Sequence, residues 1–249
     1  MAVEPVPGEA AAIAETGDQR LLLLGDYHAG LELGLRRDGV ELRSRADDRL
    51  DRLLGIVERA RPDRLVVLGD LGHAIGDPYG DERDELEAIF DRIDVPITVA
   101  KGNHDGDIEH LFEAIDGEVT LTPAHGARIG SIGVVHGHTW PSPAVLEADV
   151  VCIGHEHPVV RLEDEVGGSR VERVWLRGDL SPAPFEEHYD AELAVDGELV
   201  VFPAFNELSG GTWINVEGQE FLSPFLPAGL DGGEAYLLDG TRLGQYTDV

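Results

Sequence analysis

Five short polar motifs, each directly after an apolar run, constrain the fold of this chain more than any other feature. The motifs occupy residues 25–28, 69–70, 102–105, 135–138 and 154–157. The apolar runs before the first three are separated by segments with helical spacing, which is typical of βαβ units. Loops at the carboxyl ends of such strands meet in one crevice, so we expect the polar side chains of the motifs to converge there.

The residue types in these motifs are those that bind metal ions. Asp26 and His28 stand two residues apart, and in extended backbone this spacing would direct both side chains to the same side. His155 and His157 repeat the spacing. Asp70 can use its two carboxylate oxygens to bridge two cations that would otherwise repel each other. The motifs together supply about the number of ligands that two metal ions require.

The third and fourth motifs add an amide and further imidazoles. Asn103 offers a neutral amide oxygen, and His104 beside it offers a titratable imidazole. His136 and His138 share the fourth motif. Each motif alone is a weak signal, because a single histidine is more often a surface or satisfied core residue. The interpretation therefore depends on the order of the motifs and on their placement after apolar runs.

The chain is strongly acidic, with 49 Asp and Glu residues against 19 Lys and Arg residues and a formal net charge of -30. Lys101 is the single lysine, so the other basic residues are arginines. Self-repulsion of this size destabilises a compact state in dilute buffer, whereas molar salt shortens the screening length to about 3 Å. We interpret the acidity as an adaptation to a high-salt cytoplasm, such as that of a halophilic archaeon. It does not exclude a DNA substrate, because salt screens the repulsion.

Length and composition predict one cytoplasmic domain. No apolar run approaches the roughly 18 residues that a membrane span requires, so we expect no membrane association. Residues 1–18 have no basic start and are interrupted by glutamates, which argues against a signal peptide. We expect this segment to be disordered or frayed and residues 19–249 to form a single domain. Cys152 lies within an apolar run and is expected to pack as a small buried hydrophobe.

Periodicity separates a helical half from a strand-rich half. Helical spacing predicts helices over about residues 43–60, 82–92 and 107–115, which would cover the sheet. After residue 126 short apolar runs are broken by glycine-rich or acidic turns, which predicts mostly antiparallel strands. Asp196-Gly197 is typical of a two-residue hairpin turn between residues 193–195 and 199–202.

The order of the motifs resembles that of the calcineurin-like metallophosphoesterases, whose pattern is Asp-x-His, Gly-Asp, Gly-Asn-His-Asp/Glu, His and Gly-His-x-His. The resemblance covers residues 21–160. Residues 26–32, 69–73, 154–158 and 203–206 look more narrowly like the ICC-like phosphoesterase subfamily, which includes DNA-ligase-associated members. Two positions depart from that pattern: Tyr27 replaces a more familiar leucine, and Gly72 replaces a frequent lysine that would contact phosphate.

The resemblance implies a binuclear metal site and a role for each motif. One metal ion would be bound by Asp26, His28, Asp70 and His157, and the other by Asp70, Asn103, His136 and His155. It also implies His104 as the catalytic residue that protonates the leaving alkoxide or stabilises the transition state. Oxygen and imidazole ligands without thiolate favour Mn²⁺, Fe²⁺ or Zn²⁺, and we expect two divalent metal ions with Mn²⁺ first.

The resemblance implies an α/β fold with two facing mixed β-sheets flanked by helices, a four-layer α/β/β/α sandwich. A single doubly wound sheet is the alternative. The implied function is a metal-dependent phosphoric ester hydrolase, first of all a phosphodiesterase with a metal-bridging hydroxide as nucleophile and in one form a DNA nuclease linked to repair. A phosphodiesterase or monoesterase on small nucleotides is the enzymatic alternative. A protein-binding scaffold on the same fold is the non-enzymatic one.

Several polar residues keep two interpretations at this stage. His73 and His138 either face the substrate or are structural. Asp105 either orients His104 or caps the helix that follows. Asn206 either reaches the cleft or closes a turn.

Three arginines in the strand-rich half are candidates for clamping a phosphate with two parallel hydrogen bonds. They are Arg161, Arg173 and Arg177. Because arginine is the default cation of this chain, the sequence does not distinguish a phosphate ligand from an ordinary surface arginine.

Overall fold

A computed structural model describes residues 3–17, 19–113, 115, 117–164 and 167–249. Its first β-sheet has six strands in the order β1-β2-β3-β4-β5-β6. The strands are β1 (Val3–Pro5), β2 (Ala11–Thr16), β3 (Gln19–Leu24), β4 (Arg64–Val67), β5 (Ile97–Ala100) and β6 (Val119–Thr122). Strands β3 to β6 run parallel, and β1 and β2 are antiparallel additions at one edge.

The second sheet has eight strands in the order β14-β13-β11-β12-β9-β8-β7, and β10 pairs with β11 off this path. The strands are β7 (Ala127–Ile129), β8 (Ile132–Val135), β9 (Val150–Ile153), β10 (Val159–Glu163), β11 (Ser169–Leu180), β12 (Glu198–Val201), β13 (Leu230–Leu237) and β14 (Arg242–Gln245). Most neighbours are antiparallel, as predicted, but β8, β9 and β12 run parallel to one another. The second sheet is therefore also mixed.

The helices cover the outer faces of the sheets. They are α1 (Leu31–Arg37), α2 (Ala46–Ala60), α3 (Asp81–Arg92), α4 (Glu109–Phe112), α5 (Pro143–Leu146) and α6 (Ala183–Tyr189), with a 3-10 turn at Tyr246–Asp248. The predicted helices over 43–60 and 82–92 are confirmed as α2 and α3, whereas the third is only the short α4. Among the described helices, none has the length and apolar character that crossing a membrane requires.

Alternating apolar side chains explain why the sheets stack. Leu22 and Leu24 of β3 pack against α2 and α3, whereas Leu21 and Leu23 point into the space between the two sheets. Cys152 of β9 is buried in the same space from the other side. A sheet that is apolar on both faces must be covered on both, and here a helical layer and a second sheet do so. The two-sheet α/β architecture is confirmed, and the single doubly wound sheet is wrong.

The expectation of a frayed N-terminus is wrong for residues 3–16. Strand β2 pairs along its whole length with β3, and β1 pairs with β2. The apolar Val3 and Ala12 are buried between the sheets, whereas Glu4 and Glu15 are exposed. The glutamates that seemed to interrupt an apolar stretch thus occupy the solvent side of edge strands, where alternation places them.

The predicted hairpin at Asp196-Gly197 is also wrong. Strand β12 begins at Glu198 and pairs in parallel with β9 and antiparallel with β11, while residues 193–195 form no strand. A Cβ atom on Gly197 would lie 2.3 Å from the carbonyl oxygen of Ala148. Glycine is needed here because the chain passes close to the start of β9. The local turn sequence does not reveal this long-range contact.

The acidic surface leads to a prediction about stability. Raising KCl from about 0.1 M to about 1 M shortens the screening length from about 10 Å to about 3 Å and weakens the repulsion of a chain with net charge -30. We expect the midpoint of thermal unfolding to rise by about 5–10 °C, or about 2–4 kcal/mol for a chain of this size. Circular dichroism in a KCl series measures it, with sucrose as the uncharged control. A thermal midpoint that does not change with KCl concentration would contradict the interpretation of the acidity as an adaptation to high salt.

Candidate metal centre

The five polar motifs lie at the carboxyl ends of parallel strands. Three follow β3, β4 and β5 of the first sheet, and two follow β8 and β9 of the second. Backbone hydrogen bonds tie their loops together: the Asp26 amide donates to the Gly69 carbonyl at 3.1 Å, and the Gly154 amide donates to the His136 carbonyl at 2.9 Å. The loops from both sheets therefore meet at one rim, and the motif side chains converge there.

The four residues implied for the first metal ion lie together. Ligand atoms of Asp26, His28 and His157 all lie within 4.8 Å of one another. The Nε2 atom of His157 is 3.1 Å from Oδ1 of Asp26, and Nε2 of His28 is 3.7 Å from Oδ2 of Asp70. The ligand atoms of three of these side chains are thus close enough together for one cation, and Asp70 adjoins them through His28.

The residues implied for the second metal ion surround His136. Its Nε2 atom is 3.3 Å from Oδ2 of Asp70 and 3.1 Å from Oδ1 of Asn103. The His155 ring lies beside it, with 4.8 Å between the ring centroids. Oδ2 of Asp70 is thus the oxygen that faces both groups of ligands, which is the geometry of a bridging carboxylate.

Backbone carbonyls fix the tautomers of three site histidines. Nδ1 of His136 lies 2.8 Å from the Leu68 carbonyl, Nδ1 of His157 lies 2.7 Å from that of Gly210, and Nδ1 of His104 lies 2.7 Å from that of His73. A carbonyl oxygen only accepts, so each Nδ1 carries the proton and donates it. Each Nε2 lone pair is then available, as in most protein metal sites with histidine ligands.

Unsatisfied atoms indicate that a cation belongs in this site. Nε2 of His157 is buried and has no hydrogen-bond partner among the described residues, although Oδ1 of Asp26 is close by. The two atoms therefore face a common space rather than each other. Nε2 of His136 likewise faces two oxygens that can only accept. Buried acceptors that face each other require a positive charge between them, so the donor set fits divalent metal ions.

Burial and neighbouring charges set the protonation states. Burial lowers the pKa of His28 to about 3 and that of His155 to about 4, so both imidazoles are neutral. Burial raises the pKa values of Asp26 and Asp70, but the histidines beside them outweigh it, and both values lie below the usual range. Burial also favours neutral His136, yet the adjoining carboxylates raise its pKa to about 9. Neutral imidazoles and ionised carboxylates are the forms that ligate metals, so His136 has to release a proton when a cation binds.

Five site residues have left-handed backbone. Asp26, His28, Asp70, His155 and His157 have φ values between 45° and 68°, and among the described non-glycine residues only two others have positive φ. The expectation that the Asp-x-His and His-x-His pairs sit in extended backbone is therefore wrong. The side chains converge because the chain turns sharply after each strand, and the surrounding contacts hold this unfavourable conformation.

Further histidines border the site. The His104 ring stacks on His73, with centroids 5.0 Å apart and an interplanar angle of 7°, and both line a cleft of about 260 Å³. Nδ1 of His73 is 3.4 Å from Nδ1 of His28. The His138 ring lies 5.3 Å from that of His136, and its buried Nδ1 has no partner. Both residues left open by the sequence thus adjoin proposed ligands.

Asp105 has neither of the roles considered from the sequence. Its buried carboxylate accepts hydrogen bonds from the amides of Asp70, Gly72 and Gly102, at 2.8, 3.1 and 2.9 Å. It therefore joins the second and third motifs.

Asn206 does not line the metal cleft; its side-chain amide donates to the carbonyls of Tyr27 and His28 and holds the first motif.

Glu156 was missed by the sequence analysis. It is fully buried between the two histidines of the fifth motif, and its carboxylate accepts from the Ser223 amide at 2.6 Å, the Leu222 amide at 3.1 Å and the Thr212 hydroxyl at 3.0 Å. It anchors this motif to the C-terminal loops. The sequence feature that could have identified Glu156 is its position between the two histidines of the Gly-His-Glu-His motif.

Gly69 provides a test of how closely the site is packed. Its φ is 86°, and a Cβ atom there would lie 2.5 Å from Nδ1 of His136. We expect Gly69→Ala to push this ring off the Leu68 carbonyl and to weaken metal binding by about tenfold or more. Gly8→Ala is the matched control, because Gly8 has φ 79° with no atom within 4 Å. Equal metal affinity of the two variants in a calorimetric titration would contradict this account.

Comparison with known proteins identifies the class. The family model of calcineurin-like phosphoesterases matches residues 19–144, and the chain belongs to this family. Nuclease MPE of Pseudomonas putida shares the fold: 18% identity, TM-score 0.56, 97% of this chain and 100% of that one covered. Two structures match less completely. AQ665 of Aquifex aeolicus, a protein of unknown function, has 20% identity and a TM-score of 0.36, with 54% of this chain and 77% of that one covered. The E. coli phosphoesterase Yfce has 18% identity and a TM-score of 0.34, with 58% of this chain and 73% of that one covered. No curated protein matches this chain.

Proposed function

We propose that this protein is a binuclear metal-dependent phosphodiesterase. The observation that carries the proposal is the position of Asp70, whose Oδ2 lies 3.7 Å from Nε2 of His28 and 3.3 Å from Nε2 of His136. One carboxylate oxygen thus serves two groups of ligands. We assign Asp26, His28, Asp70 and His157 to one ion and Asp70, Asn103, His136 and His155 to the other, with Mn²⁺ as the proposed metal.

The ligand charges favour an anionic substrate. The seven proposed ligands include two carboxylates, so two divalent cations leave the site with a formal charge of +2 in a chain of net charge -30. Such ions lower the pKa of a bound water and neutralise phosphate oxygens. The protein itself contributes rigid placement, because the carbonyls of Leu68 and Gly210 and the carboxylate of Asp105 orient the ligands. The local positive charge draws a phosphoester into an otherwise acidic surface.

We assign His104 as the general acid. Its Nδ1 donates to the His73 carbonyl, so a second proton, carried by Nε2 in the imidazolium form, is the one that can pass to the leaving oxygen. Its backbone amide donates to Oδ1 of Asp70 at 2.9 Å, which fixes its position relative to the proposed bridging ligand. An alkoxide leaving group benefits from such a proton, and this supports hydrolysis of a phosphoester.

The test compares hydrolysis of bis-p-nitrophenyl phosphate and p-nitrophenyl phosphate with Mn²⁺ in concentrated KCl. We expect wild type to prefer the diester. We expect His104→Ala to lower kcat by about 10²–10⁴-fold, the usual contribution of a general acid, for a dinucleotide with an alkoxide leaving group, and by less for p-nitrophenyl esters, whose p-nitrophenolate leaves without a proton. His110→Ala is the control, since His110 is exposed and pairs with Asp77. Preference for the monoester would favour a monoesterase. Absence of hydrolysis by a metal-loaded chain would favour a scaffold on the same fold.

A further inference from the structure

A group of arginines lies beside the metal cleft. Arg45, Arg52 and Arg173 approach the carboxylate of Glu207, with nitrogen–oxygen distances of 3.8, 3.2 and 3.5 Å. We call these four residues the arginine pocket. Arg45, Arg52 and Glu207 line a cavity of about 170 Å³, and Arg173 adjoins it through Glu207. The three arginines outnumber the carboxylates of Glu207 and Glu9 that pair with them, whereas in the whole chain 49 acidic residues outnumber 19 basic ones.

The cavity shares a wall with the metal cleft. Leu208 lines the arginine side, whereas the next residue, Ser209, lines the cleft with His28 and His104. Consecutive Cα atoms are about 3.8 Å apart, so the two spaces lie on either side of the backbone at residues 208 and 209. The same segment is fixed to the first motif, because the backbone amide of Asn206 donates to the Asp26 carbonyl at 3.1 Å. The arginine pocket is therefore held at a set position relative to the proposed metal ligands.

The positive charges of the pocket are crowded, and Arg52 is also paired with Glu9, with 2.6 Å between Nε and Oε2. Burial and the neighbouring Arg52 both lower the pKa of Arg173. Nη1 of Arg173 donates to the Ala204 carbonyl, and Nη2 is 3.5 Å from Oε1 of Glu207, the same oxygen that Arg52 approaches. Glu207 is about half exposed, with 51% of its side-chain surface accessible. Two guanidinium groups thus share one oxygen of a half-exposed carboxylate, which a phosphate with several acceptor oxygens can replace.

We infer that the arginine pocket is a second phosphate-binding subsite, which takes a phosphate of a nucleic acid strand flanking the one at the metal centre, and that Glu207 occupies this place in the free protein. The inference rests on the proposed phosphodiesterase function and narrows its substrate. A small diester has one phosphate and fills one of the two spaces, whereas a strand has a phosphate for each. Arg161 and Arg177 do not belong to the subsite, since they pair with Glu163 and Glu198.

The test measures binding of a single-stranded, phosphorothioate-linked oligonucleotide to the Mn²⁺-loaded chain by fluorescence anisotropy over a KCl series. DNA and RNA of the same sequence are compared, since both carry the phosphates. Arg173→Ala is expected to raise Kd about tenfold, as for the loss of one charged hydrogen bond. It should also lower the slope of log K against log salt by about 0.7, as for one lost phosphate contact to a single strand.

Two further variants complete the design. Glu207→Gln removes the competing charge without altering a buried group, so we expect it to lower Kd for both strands by about twofold or more. Arg128→Ala, on strand β7 at the far edge of the second sheet, removes an arginine of the exposed surface and should leave Kd and the salt slope at the wild-type values. The loss of kcat/KM in Arg173→Ala should be about tenfold larger for a strand than for bis-p-nitrophenyl phosphate.

The outcomes separate this inference from the proposed function. Hydrolysis of bis-p-nitrophenyl phosphate together with an unchanged Kd and salt slope in Arg173→Ala overturns the subsite alone. Weaker strand binding in that variant and tighter binding in Glu207→Gln support the subsite even if no diester is hydrolysed, and that result contradicts only the proposed chemistry. An equal loss in Arg128→Ala overturns the subsite, because the effect would then follow net charge.

Discussion

Asp70→Asn is expected to lower the rate of bis-p-nitrophenyl phosphate hydrolysis by about 10³-fold or more, equivalent to about 4 kcal/mol of transition-state stabilisation. Oδ2 of Asp70 is the oxygen between Nε2 of His28 and Nε2 of His136. An amide at this position has no charge, so it removes half of the ligand charge, and its neutral oxygen is a poor bridge between two cations. Initial rates with Mn²⁺ measure the effect, and elemental analysis should show fewer metal ions per chain.

Asp51→Asn is the matched control for this variant. Asp51 lies on α2, its side chain is 70% exposed, and it pairs with Arg92 at 3.4 Å. The same chemical change there should leave the rate within about twofold of wild type, because exposed ion pairs contribute little. Folding of both variants is checked by circular dichroism. A folded Asp70→Asn chain that retains more than a tenth of the wild-type rate would be incompatible with a bridging role.

Arg49→Met should lower the free energy of unfolding by about 3–5 kcal/mol, the range for removing one partner from a buried ion pair. Arg49 is buried between Glu32 and Glu85, with nitrogen–oxygen distances of 3.1 and 2.7 Å. Methionine fills similar space but leaves two buried carboxylates without a cation. Urea unfolding in concentrated KCl measures the change.

The comparison for this variant is Arg92→Met. Arg92 makes one ion pair, with Asp51, and its side chain is 53% exposed, so a cost of about 0–1 kcal/mol is expected. The buried cluster also supports the first metal motif, since Glu85 accepts from the Gly30 amide and Glu32 from the Arg45 amide. Similar costs for the two substitutions would show that the buried carboxylates are protonated or hydrated after the change.

The fold was predictable where sequence pattern and tertiary packing agree. The run of four leucines at residues 21–24 is apolar on both strand faces, and such a strand needs a layer on each side. The spacing of the apolar side chains along α2 likewise reflects a helix with a single buried face. Strand β2 was missed because its alanines and glutamates carry little strand propensity, and pairing with β1 and β3 orders them.

The site was predictable as far as chemistry is local. Metal-binding residue types after strand ends were visible, and the structure brings Asp26, Asp70 and His136 within 4.8 Å of one another. The left-handed backbone of the ligands was not, because steric preference opposes it in any sequence and only the assembled loops impose it. Of the arginine pocket, the sequence offered only Arg173 as a candidate for a phosphate contact. Its approach to Arg45 was hidden, since the two residues come from distant segments that meet at Glu207.

The central claim is that two metal ions act together in hydrolysis, and one titration tests it most directly. Metal-free chain in concentrated KCl is titrated with Mn²⁺ while hydrolysis of bis-p-nitrophenyl phosphate is followed. If Asp70 joins two ions, activity stays low up to the first equivalent and reaches its plateau at two ions per chain. A plateau at one ion per chain, or no hydrolysis with two ions bound, would contradict the binuclear phosphodiesterase.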